Sequence, residues 1–121
     1  MDQHETTFDE AQIAERLAQL PGWYYEGGWI RRVFKTDGWP TTLMLVNAIG
    51  FASEAAYHHP DLTVTWARVT VKLMTHSAGG VTEKDFALAR HIEDVALWRP
   101  EQGSALDGTP ATFVRAGDPR A

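Results

Sequence analysis

Cysteine is absent from this 121-residue chain. That removes disulfide bridges, thiolate nucleophiles and sulfur-ligated zinc, and it leaves the redox compartment unmarked. Long apolar runs are missing too, since none approaches the roughly 20 residues that a membrane helix needs. The opening MDQHETTFDE is polar and acidic, unlike a secretory leader. Together these absences predict a cytoplasmic protein with no membrane association. Positive charge is also scarce: 11 Lys and Arg stand against 16 Asp and Glu, a net charge of −5. Neutralising phosphates needs a clustered basic excess, so no nucleic-acid footprint is expected. Arg31, Arg32 and Lys35 are scattered among acids. No internal repeat is visible.

What is present suits one soluble domain with a single core, at 44% hydrophobic and 11% aromatic residues. Thr7 and Glu10 have the spacing of a capping box, predicting a helix start there. Ile13, Leu17 and Leu20 continue it as an apolar stripe until Pro21-Gly22. WYYE and WIRRVFK, joined by Glu26-Gly27-Gly28, predict a hairpin whose second strand sets Ile30 and Phe34 against Arg31, Val33 and Lys35. Asp37-Gly38-Trp39-Pro40 breaks the chain, and Pro40 suits a first helical turn. From Thr41 to about Tyr57 the sequence is apolar nearly all round, which predicts a central helix buried over most of its surface. Pro60 disfavours helical geometry at His59 and ends it.

In LTVTWARVTVKLMTH, Leu62, Val64 and Trp66 share one parity, whereas Val69, Val71 and Leu73 share the other. A tight turn or bulge at Ala67-Arg68 reconciles them, giving two strands. Ser77 to Gly80 reads as a loop. Thr82 and Asp85 form a second capping signature, leading a helix with Leu88, Ile92 and Val95 as its stripe and Trp98-Arg99-Pro100 as its close. The order is α-β-β-α-β-β-α. The fold class is α+β: a four-stranded antiparallel sheet with three helices on one face. Residues 1–99 form the domain. Residues 100–121, rich in Pro, Gly and small polar side chains, are expected to be a flexible or docked accessory tail.

Two of the chain's five histidines, His58 and His59, stand together before Pro60 at a helix end. His76 lies where the last strand meets a loop. Helix and strand ends are where a scaffold presents side chains to a cleft. Glu54, four residues before His58, could orient an imidazole if the helix persists that far. Asp85 is a carboxylate close in sequence to the His76 loop. Each residue also has an ordinary reading. A lone histidine is commonly a surface or core residue, Asp85 can serve only as a helix cap, Glu54 can be merely solvated, and Gly79-Gly80 can be turn chemistry. Metal binding has weak support, because no H-x-x-x-H or H-E-x-x-H spacing occurs. No G-x-S-x-G appears either. By elimination, a cluster of side chains that titrate near neutral pH, without metal or nucleophile, points to proton-transfer catalysis.

EAAYHHPDL followed by VTVKLMTHSAGGVTEKDFALARHIE resembles the pterin-4a-carbinolamine dehydratase family. The family pattern is E-x-x-x-H-H-P, a strand pair, T/S-H, a short Gly-containing loop and an aliphatic-T-x-x-D helix start. The resemblance spans about residues 8–98, including the PGW before the first strand. It implies dehydration of 4a-hydroxytetrahydropterin to quinonoid dihydropterin, which recycles the cofactor of aromatic amino-acid hydroxylases. Carried over, it makes His58 and His76 the acids at the departing 4a-hydroxyl, and gives His59 the tasks of binding pterin and helping to remove the N5 proton. Pro60 shapes the turn; Thr75, His76, Ser77 and Ala78 contact the pterin ring; Glu54 and Asp85 orient or tune the histidines. The resemblance also implies a homodimer or homotetramer. Leu62 departs from the pattern, because many members carry an aromatic residue there.

Relatives of this fold also act as binding proteins: one is a dimerisation cofactor of a homeodomain transcription factor, and a branch encoded with carboxysome genes looks like a RuBisCO assembly factor. For such a protein the 100–121 tail and the surface would matter more than the histidines. Glu54, His58, His59, Pro60, His76 and Asp85 occurring together favour the enzyme, because a binding protein has no chemical need of three converging imidazoles.

Overall fold

A computed structural model of the chain describes residues 3–106 and 113–115. The elements are a 3-10 turn (Gln3–Glu5), α1 (Glu10–Leu17), β1 (Trp23–Glu26), β2 (Trp29–Lys35), α2 (Trp39–Ala56), β3 (Asp61–Thr65), β4 (Arg68–Leu73), a second 3-10 turn (His76–Ala78) and α3 (Glu83–Ala96). The expected α+β order is the observed one. All strand pairs are antiparallel, and the sheet order is β1-β2-β4-β3.

Alternation places one face of this sheet in the core. Ile30, Phe34, Val69, Val71 and Leu73 point inward against Leu45 and Ile49 of α2 and Phe86, Leu88, Ala89 and Ile92 of α3. The parity switch is resolved by a two-residue turn at Trp66-Ala67, one position earlier than the expected Ala67-Arg68, so Val64 pairs with Val69. The first helix also starts differently. Asp9, rather than Thr7, is the cap: its Oδ1 accepts from the Gln12 N–H at 2.8 Å, while Gln12 Oε1 accepts from the Asp9 N–H. Aspartate caps as well as threonine does, and Gln12 stands at the third helical position where the reciprocal bond forms.

α2 departs most from expectation. Its buried residues are Thr42, Leu45, Ile49, Ala52 and Ser53, whereas Leu43, Met44 and Phe51 lie exposed, Phe51 at 77%. A helix over a single sheet face has only one side to bury, so its apolar residues outnumber its buried positions.

Arg32 breaks the inward apolar pattern of β2. It is only 1% exposed and lies on the core-facing parity between Ile30 and Phe34. Glu93 of α3 pairs with its guanidinium and also accepts from Trp23 Nε1 at 2.8 Å. Gly22, at φ +93°, leaves room for this guanidinium, since a Cβ there would stand 2.9 Å from Arg32 Cζ. Pro-Gly-Trp at the start of β1 thus has a packing reason. Beyond residue 100, Val114 is buried in the core and the Arg115 N–H donates to the Lys35 carbonyl at 2.7 Å.

Candidate functional site

The end of α2 builds the first half of the site. Tyr57 takes the left-handed conformation (φ 50°, ψ 44°), a place usually held by glycine at a helix end. The Tyr57 N–H donates to the Glu54 carbonyl and the His58 N–H to the Ser53 carbonyl, both at 3.1 Å, which closes the helix and reverses the chain. Holding a β-branch-free but bulky residue there costs about 1–2 kcal/mol. That turn, followed by Pro60, projects His58 and His59 away from the helix axis.

The second half is the β4–α3 connection. Thr75 and Gly80 bridge across the loop, and the Thr75 N–H donates to the Gly80 carbonyl at 2.9 Å. Gly79, at φ +74°, closes the 3-10 turn carrying His76, so the glycine is turn chemistry. Behind this loop Asp85 is fully buried. Its Oδ2 accepts from the Thr82 N–H at 2.8 Å and from Thr75 Oγ1 at 2.9 Å. Its Oδ1 lies 2.7 Å from His58 Nε2. Thr82 Oγ1 is 2.8 Å from Thr75 Oγ1 and accepts from the Lys84 N–H at 3.2 Å. The direction of this chain is dictated: Thr75 spends its proton on Asp85, so Thr82 must donate to Thr75.

With two donors already on Oδ2, Asp85 acts as an acceptor, and His58 donates Nε2–H to Oδ1. The neutral imidazole is therefore the tautomer whose Nδ1 is bare. His59 is arranged in parallel but outside: its Nε2 lies 2.9 Å from Glu54 Oε2, with side chains 52% and 75% exposed, against 15% and 0% for the His58–Asp85 pair. Glu54 thus reaches His59 rather than His58, because α2 ends at Ala56 and the left-handed turn at Tyr57 rotates His58 toward α3. Aromatic rings steady the other imidazoles. The Trp29 ring meets His76 edge-on at 5.5 Å, and Tyr57 meets His59 edge-on at 5.7 Å.

His58, His59, Thr75, His76 and Ser77 line one cavity of about 320 Å³, within the range of small-molecule sites. Asp85 and Glu54 support it from behind the histidines they bond. Pro60 is not among the lining residues, and Ala78 faces a neighbouring cavity with Thr6 and Thr7. Four lining residues, Glu5, Tyr57, Met74 and Lys84, carried no recognisable signal in the sequence, nor did Trp29 beside His76. Tyr57 and Trp29 read as helix and strand positions, and Glu5 lies in the polar opening segment, yet Glu5 lines the cavity with Lys84. Among the described residues no group of three or more His, Asp or Glu side chains is placed to hold a metal ion, and no helix is long and apolar enough to cross a membrane.

The family model of pterin 4 alpha carbinolamine dehydratase matches residues 6–95. A protein of Roseiflexus sp. strain RS-1, provisionally named a pterin-4-alpha-carbinolamine dehydratase, is 43% identical over 90 residues, covering 74% of this chain and 97% of its own. A protein of Chloroflexus aurantiacus with the same provisional name is 48% identical over 86 residues, or 71% and 92% of the two chains. The crystal structure of a transcriptional coactivator/pterin dehydratase from Brucella melitensis superposes with a TM-score of 0.71 at 32% identity, covering 75% of this chain and 99% of that one. The chain belongs to the pterin 4 alpha carbinolamine dehydratase family.

Proposed function

We propose that this member of the family dehydrates 4a-hydroxytetrahydropterin to quinonoid dihydropterin by histidine acid–base catalysis, recycling the pterin used by aromatic amino-acid hydroxylases. The observation that carries this reading is the convergence of His58, His59 and His76 on one cavity, with a buried carboxylate behind His58. In the reaction the C4a–O bond breaks, the departing oxygen gains a proton and leaves as water, N5 loses its proton, and a C4a–N5 double bond forms. Each positioned proton transfer is typically worth 10²- to 10⁴-fold. Histidine suits both tasks, because an ordinary imidazole titrates at about pH 6.5.

His58 and His76 act as the acids at the hydroxyl. Asp85 supports this for His58: it accepts Nε2–H from the neutral ring and stabilises the ring further once Nδ1 is protonated and ready to give its proton away. His59, oriented by Glu54, binds the pterin and takes the N5 proton. Thr75 and Ser77 border the ring, while Pro60 sets the turn. No step calls for a metal or organic cofactor. The protein works as a homodimer or homotetramer, for which the exposed Leu43, Met44 and Phe51 of α2 offer an apolar face.

Decay of enzymatically generated 4a-hydroxytetrahydropterin, followed with wild type and with His76→Ala, tests the reading. Acceleration by wild type that the variant largely loses is the expected result. A folded wild type that leaves the uncatalysed rate unchanged overturns it and favours the binding-protein role, with the 100–121 tail as the next segment to probe against RuBisCO or other partners.

A further inference from the structure

Among the described residues, Tyr57 is the only one other than glycine with a positive φ. Asparagine or glycine would make the same left-handed turn at the end of α2 with less strain. The side chain offers the fold nothing in return. The residue is 84% exposed, and its phenol oxygen has no hydrogen-bond partner among the described residues. Strained backbone of this kind persists where a site makes use of it.

The ring stands at the histidine cavity. Tyr57 lines that cavity with His58, His59 and His76, and it meets the His59 ring edge-on at 5.7 Å with 82° between the planes. It also lines a neighbouring cavity of about 270 Å³, with Ala56, Ala87, Leu88 and His91. The turn therefore sets an exposed aromatic ring on the wall where the two cavities meet. Imidazoles aside, no other described residue lining the histidine cavity is aromatic. A pterin is a flat bicyclic heteroaromatic ring. Imidazoles and hydroxyls address the atoms at its edge, whereas its π faces gain from an aromatic neighbour. A ring left in water by the free protein can bury its apolar surface when such a ligand arrives.

We propose that Tyr57 is a substrate-binding residue of this site, packing its ring against the pterin, and that the left-handed turn is kept because it aims that ring at the cavity. The inference rests on the pterin reading above and goes beyond it. The site takes flat heteroaromatic rings partly by contact with a π face, and the fold gives up stability to provide that contact.

The test combines equilibrium binding of 6-methyl-7,8-dihydropterin with thermal melts of the ligand-free proteins, for wild type, Tyr57→Phe and Tyr57→Asn. Asparagine tolerates the left-handed conformation, so the turn that projects His58 and His59 is retained. Stacking of a heteroaromatic base on an aromatic side chain is worth roughly a factor of ten in affinity. Tyr57→Asn is thus expected to bind the pterin about tenfold more weakly, while its melting temperature rises by roughly 2–8 °C as the strain is relieved. Tyr57→Phe should keep both wild-type values. A residue with a purely structural role does not move affinity and stability in opposite directions. Unchanged affinity in Tyr57→Asn overturns the assignment. So does a loss of affinity with a lower melting temperature, which makes the ring a packing element, or an equal loss in Tyr57→Phe, which assigns the contact to the phenol oxygen. If wild type binds no pterin, the functional reading itself falls and takes this inference with it.

Discussion

His58 Nε2 and Asp85 Oδ1 stand 2.7 Å apart across 27 residues of chain, and the same carboxylate caps the N-terminus of α3 through the Thr82 N–H. One buried aspartate therefore has two tasks that a sequence reading sets against each other. It caps the start of a helix, and it fixes which nitrogen of His58 faces the cavity.

Asp85→Asn separates those tasks. All three partners of Asp85 are donors, so an amide must set its NH₂ against His58 on one side or against Thr75 and Thr82 on the other. If that partner is His58, the imidazole is driven to the opposite tautomer. Dehydration is expected to fall by about 10²- to 10⁴-fold. Stability should drop by about 1–3 kcal/mol from the mismatched buried group. Steady-state rates and a urea titration on the same variant check both.

Glu54→Gln should matter far less. The His59–Glu54 pair is more than half exposed on both sides. Exposed pairs contribute about 0–1 kcal/mol and are screened by salt. Stability is expected to be unchanged within about 0.5 kcal/mol, with any rate loss well below that of Asp85→Asn. Equal losses in the two variants would sink the distinction between the buried and exposed supports.

The Arg32–Glu93–Trp23 cluster supplies a prediction that leaves the reacting groups untouched. Glu93→Ala removes the carboxylate that faces the buried Arg32 guanidinium and is expected to cost about 3–5 kcal/mol. Gly22→Ala should also destabilise, by about 1–3 kcal/mol, from its positive φ and from the approach to Arg32. Thermal melts measure both. Activity per folded molecule should stay near wild type, since these residues lie outside the cavity.

Phe51→Glu tests the exposed face of α2. The residue has no core role to lose, so folding should be retained within about 0.5 kcal/mol. Sedimentation is expected to show a smaller assembly than wild type. Identical sedimentation would place the subunit contacts elsewhere.

Residues 82–96 were legible because capping and periodicity are local: Thr82 and Asp85 lie within one helical turn, and so do Leu88 and Ile92. The same holds for the sheet, where the parity change between Trp66 and Val69 demanded a turn before any strand was paired. The family's compound motif placed His58, His59 and His76 in one reading. What the sequence could not hold is who faces whom. Asp85, rather than Glu54, orients His58, because the left-handed turn at Tyr57 sends that ring toward α3, and no local pattern announces a bulky residue in a glycine conformation. Arg32 read only as one of several scattered basic residues, and Glu93, 61 residues away, lies opposite it in the core. Glu5 lines the cavity through Ser77 and Lys84, which lie 72 and 79 residues away along the chain. Local chemistry determined the helices, strands and turns of this chain. Long-range packing decided which charges are buried and which carboxylate meets which histidine, because those choices depend on surfaces that exist only once distant segments have met.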